Sequence, residues 1–160
     1  MTNNVTQSTD PLCNTTVGNP FYDEKGCRIS TWKAMLQIYN SGGAKSIGVS
    51  NFNVSHFEEI REAGLPLPAI TQSPFHLYLS GAQLDLLSYC WRNGIVFLGY
   101  SPFGVPDYKV YPPTLPSPNQ LTDPVVVDIA ARHSITSAQV LIAWQYQLGI
   151  PINPRSMNKQ

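Results

Sequence analysis

The feature that most constrains this chain is an alternation of short apolar runs with amphipathic segments that carry their own start and stop signals. After Ser30-Thr31, Trp32, Met35, Leu36 and Tyr39 fall at helical spacing, and Gly42-Gly43 stops the pattern. "AKSIGVS" (44–50) then reads as a buried strand. Ser55-x-x-Glu58 is a capping box for a helix with Phe57, Ile60 and Ala63 on one face, ended by Gly64 and Pro66. "PAITQ" is a short strand, and Ser80-x-x-Gln83 caps the next helix, with Leu79 and Leu84 as a staple and Leu84, Leu87 and Trp91 as its stripe up to Gly94. "IVFLGY" is an apolar strand of the parallel-sheet kind. Asp123-Pro124 opens a further helix, Thr136-x-x-Gln139 caps another that ends at Gly149, and "IPIN" closes the series as a strand. Such alternation implies an α/β fold of about four parallel strands with crossover helices.

The remaining segments are read more simply. Residues 1–29 are polar and without a period, so an irregular N-terminal segment is expected ahead of one domain over 30–160. Between Tyr100 and Asp123 runs a loop holding Pro102, Pro106, Pro112, Pro113, Pro116 and Pro118, and a loop of that length in a compact domain is usually functional. The chain is 12% charged with net charge zero, which argues against a nucleic-acid surface or a disordered acidic tail. Cys13, Cys27 and Cys90 are odd in number and widely spaced, so they read as free thiols in a reducing compartment. "MTNNVTQSTDP" shows no apolar signal core and no run approaches membrane-spanning length, so a soluble, cytoplasmic protein is expected, with no membrane and no nucleic acid among its partners. His56, His76 and His133 lack metal-ligand spacing and read as surface or capping residues, while Trp32, Trp91 and Trp144 read as core. No G-x-G-x-x-G and no P-loop motif occurs.

Chemistry collects at the strand ends. The first strand ends in Ser50-Asn51, the second in Gln72, the third in Tyr100-Ser101, and the fourth runs into Arg155-Ser156. In parallel βα folds all such ends lie on one rim, where ligands bind. Asn and Gln suit a carboxamide, Tyr offers a flat face to a ring, and Arg with Ser suits a phosphate. Ser50-Asn51 can equally cap the helix that follows, and the two roles are compatible. Together the set describes a site for a nicotinamide dinucleotide phosphate.

"TWKAM", "IGVSNF", "TQSPFHLYL", "YSPFG", "LTDPVV" and "PRS" occur in the order and spacing of the aldo-keto reductases, which this chain resembles from about residue 20 to 160. The resemblance implies the C-terminal half of a (β/α)8 barrel that uses NADPH to reduce small carbonyl substrates, aldehydes and ketones, to alcohols. It implies that Ser50, Asn51 and Gln72 hold the nicotinamide carboxamide, that Tyr100 stacks on the nicotinamide ring, and that Ser101 contacts the pyrophosphate. Arg155 and Ser156 would meet the adenosine 2′-phosphate, and the proline-rich loop would fold over the cofactor. The family's N-Q-x-E-x-H-P stretch reads Thr71-Gln72-Ser73-Pro74-Phe75-His76-Leu77 here, with Thr71 for Asn and Pro74 for Glu. The family's catalytic Asp, Tyr, Lys and His have no counterpart segment in this chain, so no catalytic residue and no metal ligand is assigned. A non-catalytic cofactor-binding remnant or scaffold is the alternative. Open sheet edges and an inner face bearing Ile47, Ile70 and Val96 imply self-association or a complementary half-barrel.

Overall fold

A computed structural model of the chain describes residues 10–14, 20, 22–104 and 119–154. They fall into two compact units: one comprises Met1–Ile47 with Val54–Pro68, the other Gly48–Asn53 with Ala69–Gln160.

The first unit is built on two helices, α1 (Glu24–Asn40) and α2 (Val54–Glu62). Helix α1 starts at Glu24, eight residues before the first residue of its apolar stripe, Trp32, because Asp23 caps it, accepting from the Lys25 and Gly26 N–H groups, with Glu24 in the positive first turn. Helix α2 starts at Val54, one residue ahead of the Ser55-x-x-Glu58 pattern. Trp32, Phe57 and Ile60 are buried, and the Trp32 indole N–H donates to the Pro66 carbonyl at 2.9 Å. Arg28 grips Glu59 with two parallel bonds of 2.8 Å, and this fork holds α1 to α2 more firmly than a single exposed pair would.

Ahead of α1, a single 3-10 turn (Pro11–Cys13) is tied down by a Cys13–Cys27 disulfide. This corrects the reading of three free thiols. Disulfides persist in oxidising compartments, so the bond also removes the cysteine-based argument for a cytoplasmic setting. Cys90 is the free cysteine; it is buried, and burial pushes its thiol up to about 11. Because the thiolate is the reactive form, a thiol reagent should find no fast-reacting cysteine in the unreduced native protein. Unfolding should expose one, and reduction should bring the total to three, given one disulfide among three cysteines. Three reactive thiols on unfolding without reductant would contradict the disulfide.

The second unit holds a parallel four-stranded sheet in the order β1 (Gly48–Ser50), β2 (Ile70–Pro74), β3 (Val96–Tyr100), β4 (Ile152–Asn153). Helices α3 (Gly81–Arg92), α4 (Pro124–His133) and α5 (Ser137–Gln147) connect the strands that follow β2. Both glutamine capping boxes form: the Gln83 amide oxygen accepts from the Ser80 N–H at 3.1 Å, and that of Gln139 from the Thr136 N–H at 2.8 Å. The two central strands, β2 and β3, alternate strictly. Thr71, Ser73 and Phe97 are buried on the covered face, while Ile70, Gln72 and Leu98 on the opposite face are only partly covered and Val96 is 48% exposed. Ile47, expected on that open face, is buried and falls in the first unit.

On the covered face Phe75 stacks against Trp144 at 5.4 Å and meets Phe97 edge-on at 5.8 Å. The stripe on α3 differs from the expected one. Leu86, Leu87, Tyr89 and Cys90 are buried, whereas Leu84 and Trp91 are exposed, Trp91 by 56%. Leu84, Leu86, Leu87, Tyr89, Cys90 and Trp91 spread over an apolar arc wider than half the helix, so spacing alone could not select which part of it is buried. No single helix among the described residues is long and apolar enough to cross a membrane.

Candidate functional site

The parallel register places Ser50, the last residue of β1, beside Gln72, and Pro74 beside Tyr100 at the ends of β2 and β3, all on the open face; Gln72, expected at the end of its strand, lies in the middle of β2, two residues before its end. Asn51 follows β1 directly, and Ser101 follows β3. Four of the expected rim residues are therefore joined in one constellation. The Gln72 carbonyl accepts from the Asn51 N–H at 2.9 Å and from the Ser50 hydroxyl at 3.1 Å. The Tyr100 hydroxyl donates to Asn51 Oδ1 at 2.8 Å. Ser50 and Asn51 are exposed, and Gln72 and Tyr100 are half-buried, so the polar groups face outward from a fixed backbone.

Backbone strain marks the same rim. Among the described residues, Asn51 (φ 59°), Ser101 (φ 53°) and Ser134 (φ 54°) are the non-glycine residues with positive φ. Ser134 ends α4 in the ordinary left-handed C-cap. Asn51 and Ser101 instead sit just past β1 and β3, where the left-handed conformation costs the serine about 1–2 kcal/mol and the asparagine, which tolerates it, less. Strained backbone of this kind clusters at ligand clamps and switch regions, and here it lies at two strand ends beside convergent polar groups.

The loops behind the rim are anchored by two glutamines that the sequence did not single out and by the Asp123 cap that it did. Gln120 is fully buried, and its amide oxygen accepts from the Leu77 N–H at 3.1 Å. Gln145, also fully buried, donates from Nε2 to the Pro102 carbonyl at 3.4 Å. Asp123 caps α4 through the Val125 N–H at 2.9 Å and accepts from the Tyr78 hydroxyl at 2.6 Å. That bond holds the Asp123 carboxyl below the usual carboxylate range and makes the Tyr78 hydroxyl harder to ionise. Glutamine reads as a surface residue, and nothing in the sequence signals these buried anchors.

His76, read as a surface or capping residue, is buried, and burial lowers its pKa below the ordinary value. Its Nδ1 has no hydrogen-bond partner among the described residues. No group of three or more histidine, cysteine, aspartate or glutamate side chains is placed to hold a metal ion among the described residues. Arg155 and Ser156 lie outside the described residues, as do positions 105–118 of the proline-rich loop.

The profile of the Aldo/keto reductase family matches residues 5–158. Aldo-keto reductase family 1 member A1 of Xenopus tropicalis is 38% identical over 127 residues, which is 79% of this chain and 38% of that protein. Aldehyde reductase YPR1 of Saccharomyces cerevisiae is 31% identical over 134 residues, 82% of this chain and 39% of its own length. Among solved structures, Gox0644 in its apo form superposes with a TM-score of 0.71 at 33% identity, covering 84% of this chain and 44% of the other. The aldo-keto reductase AKR2E5 of the silkworm, Bombyx mori, gives 0.68 at 33% identity, covering 82% of this chain and 39% of its own. The chain thus spans 38–39% of the length of these curated relatives and 39–44% of these solved chains. Its four parallel strands and flanking helices correspond to part of a (β/α)8 barrel.

Proposed function

Because this chain belongs to the aldo/keto reductase family of oxidoreductases, we propose that its strand-end rim holds the nicotinamide end of NADPH in the reduction of aldehydes or ketones to alcohols. The observation that carries this reading is the convergence of Ser50, Asn51, Gln72 and Tyr100 from three adjacent parallel strands, joined by the Tyr100 hydroxyl bond to Asn51 and the Gln72 carbonyl. Two side-chain amides and a hydroxyl supply both donors and acceptors, which is what a primary carboxamide requires of its site. The Tyr100 ring, partly exposed at the same rim, suits stacking on a flat heterocycle. When bound, this cofactor supplies a hydride to the carbonyl carbon.

The finer assignments follow the same reading: Ser101 contacts the pyrophosphate, and Arg155 with Ser156 meets the 2′-phosphate. The proton required at the substrate oxygen is assigned to no residue of this chain. Tyr78 is unsuited to that task, since the Asp123 carboxylate beside it opposes ionisation. The open sheet face around Val96 supports either self-association or a complementary half-barrel as its cover.

Cofactor selectivity tests the reading. A charge-assisted bond from Arg155 to the 2′-phosphate is worth about 1.5–3 kcal/mol. Calorimetric titration should therefore show NADPH bound in preference to NADH, and Arg155→Ala should cut that preference about tenfold or more. Equal affinity of the unsubstituted chain for the two cofactors would contradict the assignment.

A further inference from the structure

The stacking role uses the ring of Tyr100 and leaves its hydroxyl unassigned. That hydroxyl donates to Asn51 Oδ1 at 2.8 Å, linking the last residue of β3 to the residue after β1 with β2 lying between them. Neighbouring strands are about 4.8 Å apart, so the link spans roughly 10 Å of sheet. The backbone of Asn51 is set by its left-handed φ of 59° and by its N–H bond to the Gln72 carbonyl at 2.9 Å. Neither constraint decides how its side-chain amide faces. An asparagine amide carries an acceptor on one side and two donors on the other, and its terminal torsion is broad and two-fold. Left alone, it could offer a ligand either edge.

The bond from Tyr100 occupies the oxygen and leaves the NH2 group of Asn51 to face outward. Ser50 is polarised in the opposite sense. Its hydroxyl proton goes to the Gln72 carbonyl at 3.1 Å, so its oxygen is left as an acceptor. The rim therefore presents one committed donor and one committed acceptor, the complement of a carboxamide C=O and NH2.

We propose that Tyr100 is a positioning residue whose hydroxyl, separately from its ring, fixes Asn51 with its NH2 toward the carbonyl oxygen of the nicotinamide carboxamide. The inference rests on the NADPH reading given above. It differs from that reading in assigning a role to an atom that touches no ligand.

Tyr100→Phe keeps the ring and removes the hydroxyl, so it isolates this role. Calorimetry should show NADPH affinity falling about five- to tenfold, the scale of one net hydrogen bond. Affinity for 2′-phospho-ADP-ribose, which retains the adenosine and pyrophosphate portions but has no nicotinamide, should be unchanged. In an Asn51→Ala background, adding Tyr100→Phe should cost nothing further, because two residues acting through one contact are not additive. Unchanged NADPH affinity in Tyr100→Phe, additive losses in the double variant, or parallel weakening of both ligands would overturn the inference and leave the NADPH reading standing. Absence of NADPH binding by the unsubstituted chain would overturn both.

Discussion

Replacing Phe75 with alanine is expected to lower the stability of the four-stranded unit by about 3–5 kcal/mol. Phe75 is 1% exposed and lies just past β2, where it joins the sheet to α5 through Trp144 and to β3 through Phe97. Its N–H also donates to the Tyr100 carbonyl at 3.0 Å, so the residue sits directly behind the rim. Truncation leaves a cavity between two aromatic rings that cannot both collapse into it. Single domains are commonly stable by only about 5–15 kcal/mol, so this one change removes a large share. Urea unfolding followed by tryptophan fluorescence reads the effect, and a loss under about 1 kcal/mol would show that the cluster is not the centre of this unit's core. Phe75→Leu, which retains much of the volume, should cost distinctly less.

Gly48→Ala is expected to weaken NADPH binding more than tenfold by displacing β1. A methyl group built at Gly48 would lie 2.4 Å from Ile70 Cγ2 and 2.5 Å from the Ile70 carbonyl oxygen. The carbonyl is backbone and cannot swing aside, so the strands must separate to admit the methyl. Gly48 is registered against Ile70 two positions before Ser50 meets Gln72, and any separation moves Ser50 and Asn51 off the rim. β1 pairs only with β2 among the described strands and has no second neighbour to hold it. Calorimetry of NADPH binding checks this, with 2′-phospho-ADP-ribose as the control ligand. Wild-type affinity for NADPH in Gly48→Ala would mean that the position of β1 does not set the nicotinamide site.

The parts of this architecture legible in the sequence were those written in local chemistry. The glutamine capping boxes at Ser80 and Thr136 and the proline at the start of α4 each rest on contacts within a few residues, and each forms. The alternation of strands and helices predicted the parallel sheet, and Ser50, Asn51, Gln72 and Tyr100 lie together at one edge of its open face. What escaped depends on partners distant in the chain. The Cys13–Cys27 pairing has a separation of 14 residues and no motif to announce it. Trp91 lies outward because α3 offers more apolar surface than its neighbours can cover. The seven-residue run 44–50 yields only the three residues Gly48–Ser50 as strand, because pairing with β2, not apolarity, sets its length. The start of α1 was readable and lay in Asp23-Glu24, an N-cap followed by an acidic first turn. The Tyr100 hydroxyl bond to Asn51 could not be read, since it depends on two strands that are not neighbours.

The central claim, that this chain folds around a rim that binds NADPH, is tested most directly by its thermal unfolding at fixed protein concentration with and without the cofactor. A ligand present at a hundred times its Kd stabilises the folded state by about 2.7 kcal/mol, which for a chain of this size moves the midpoint by about 5–10 °C. The account predicts one cooperative transition whose midpoint rises by that amount with NADPH and by less with the same concentration of NADH. A broad, non-cooperative melt, or a midpoint that NADPH leaves where it was, would contradict it.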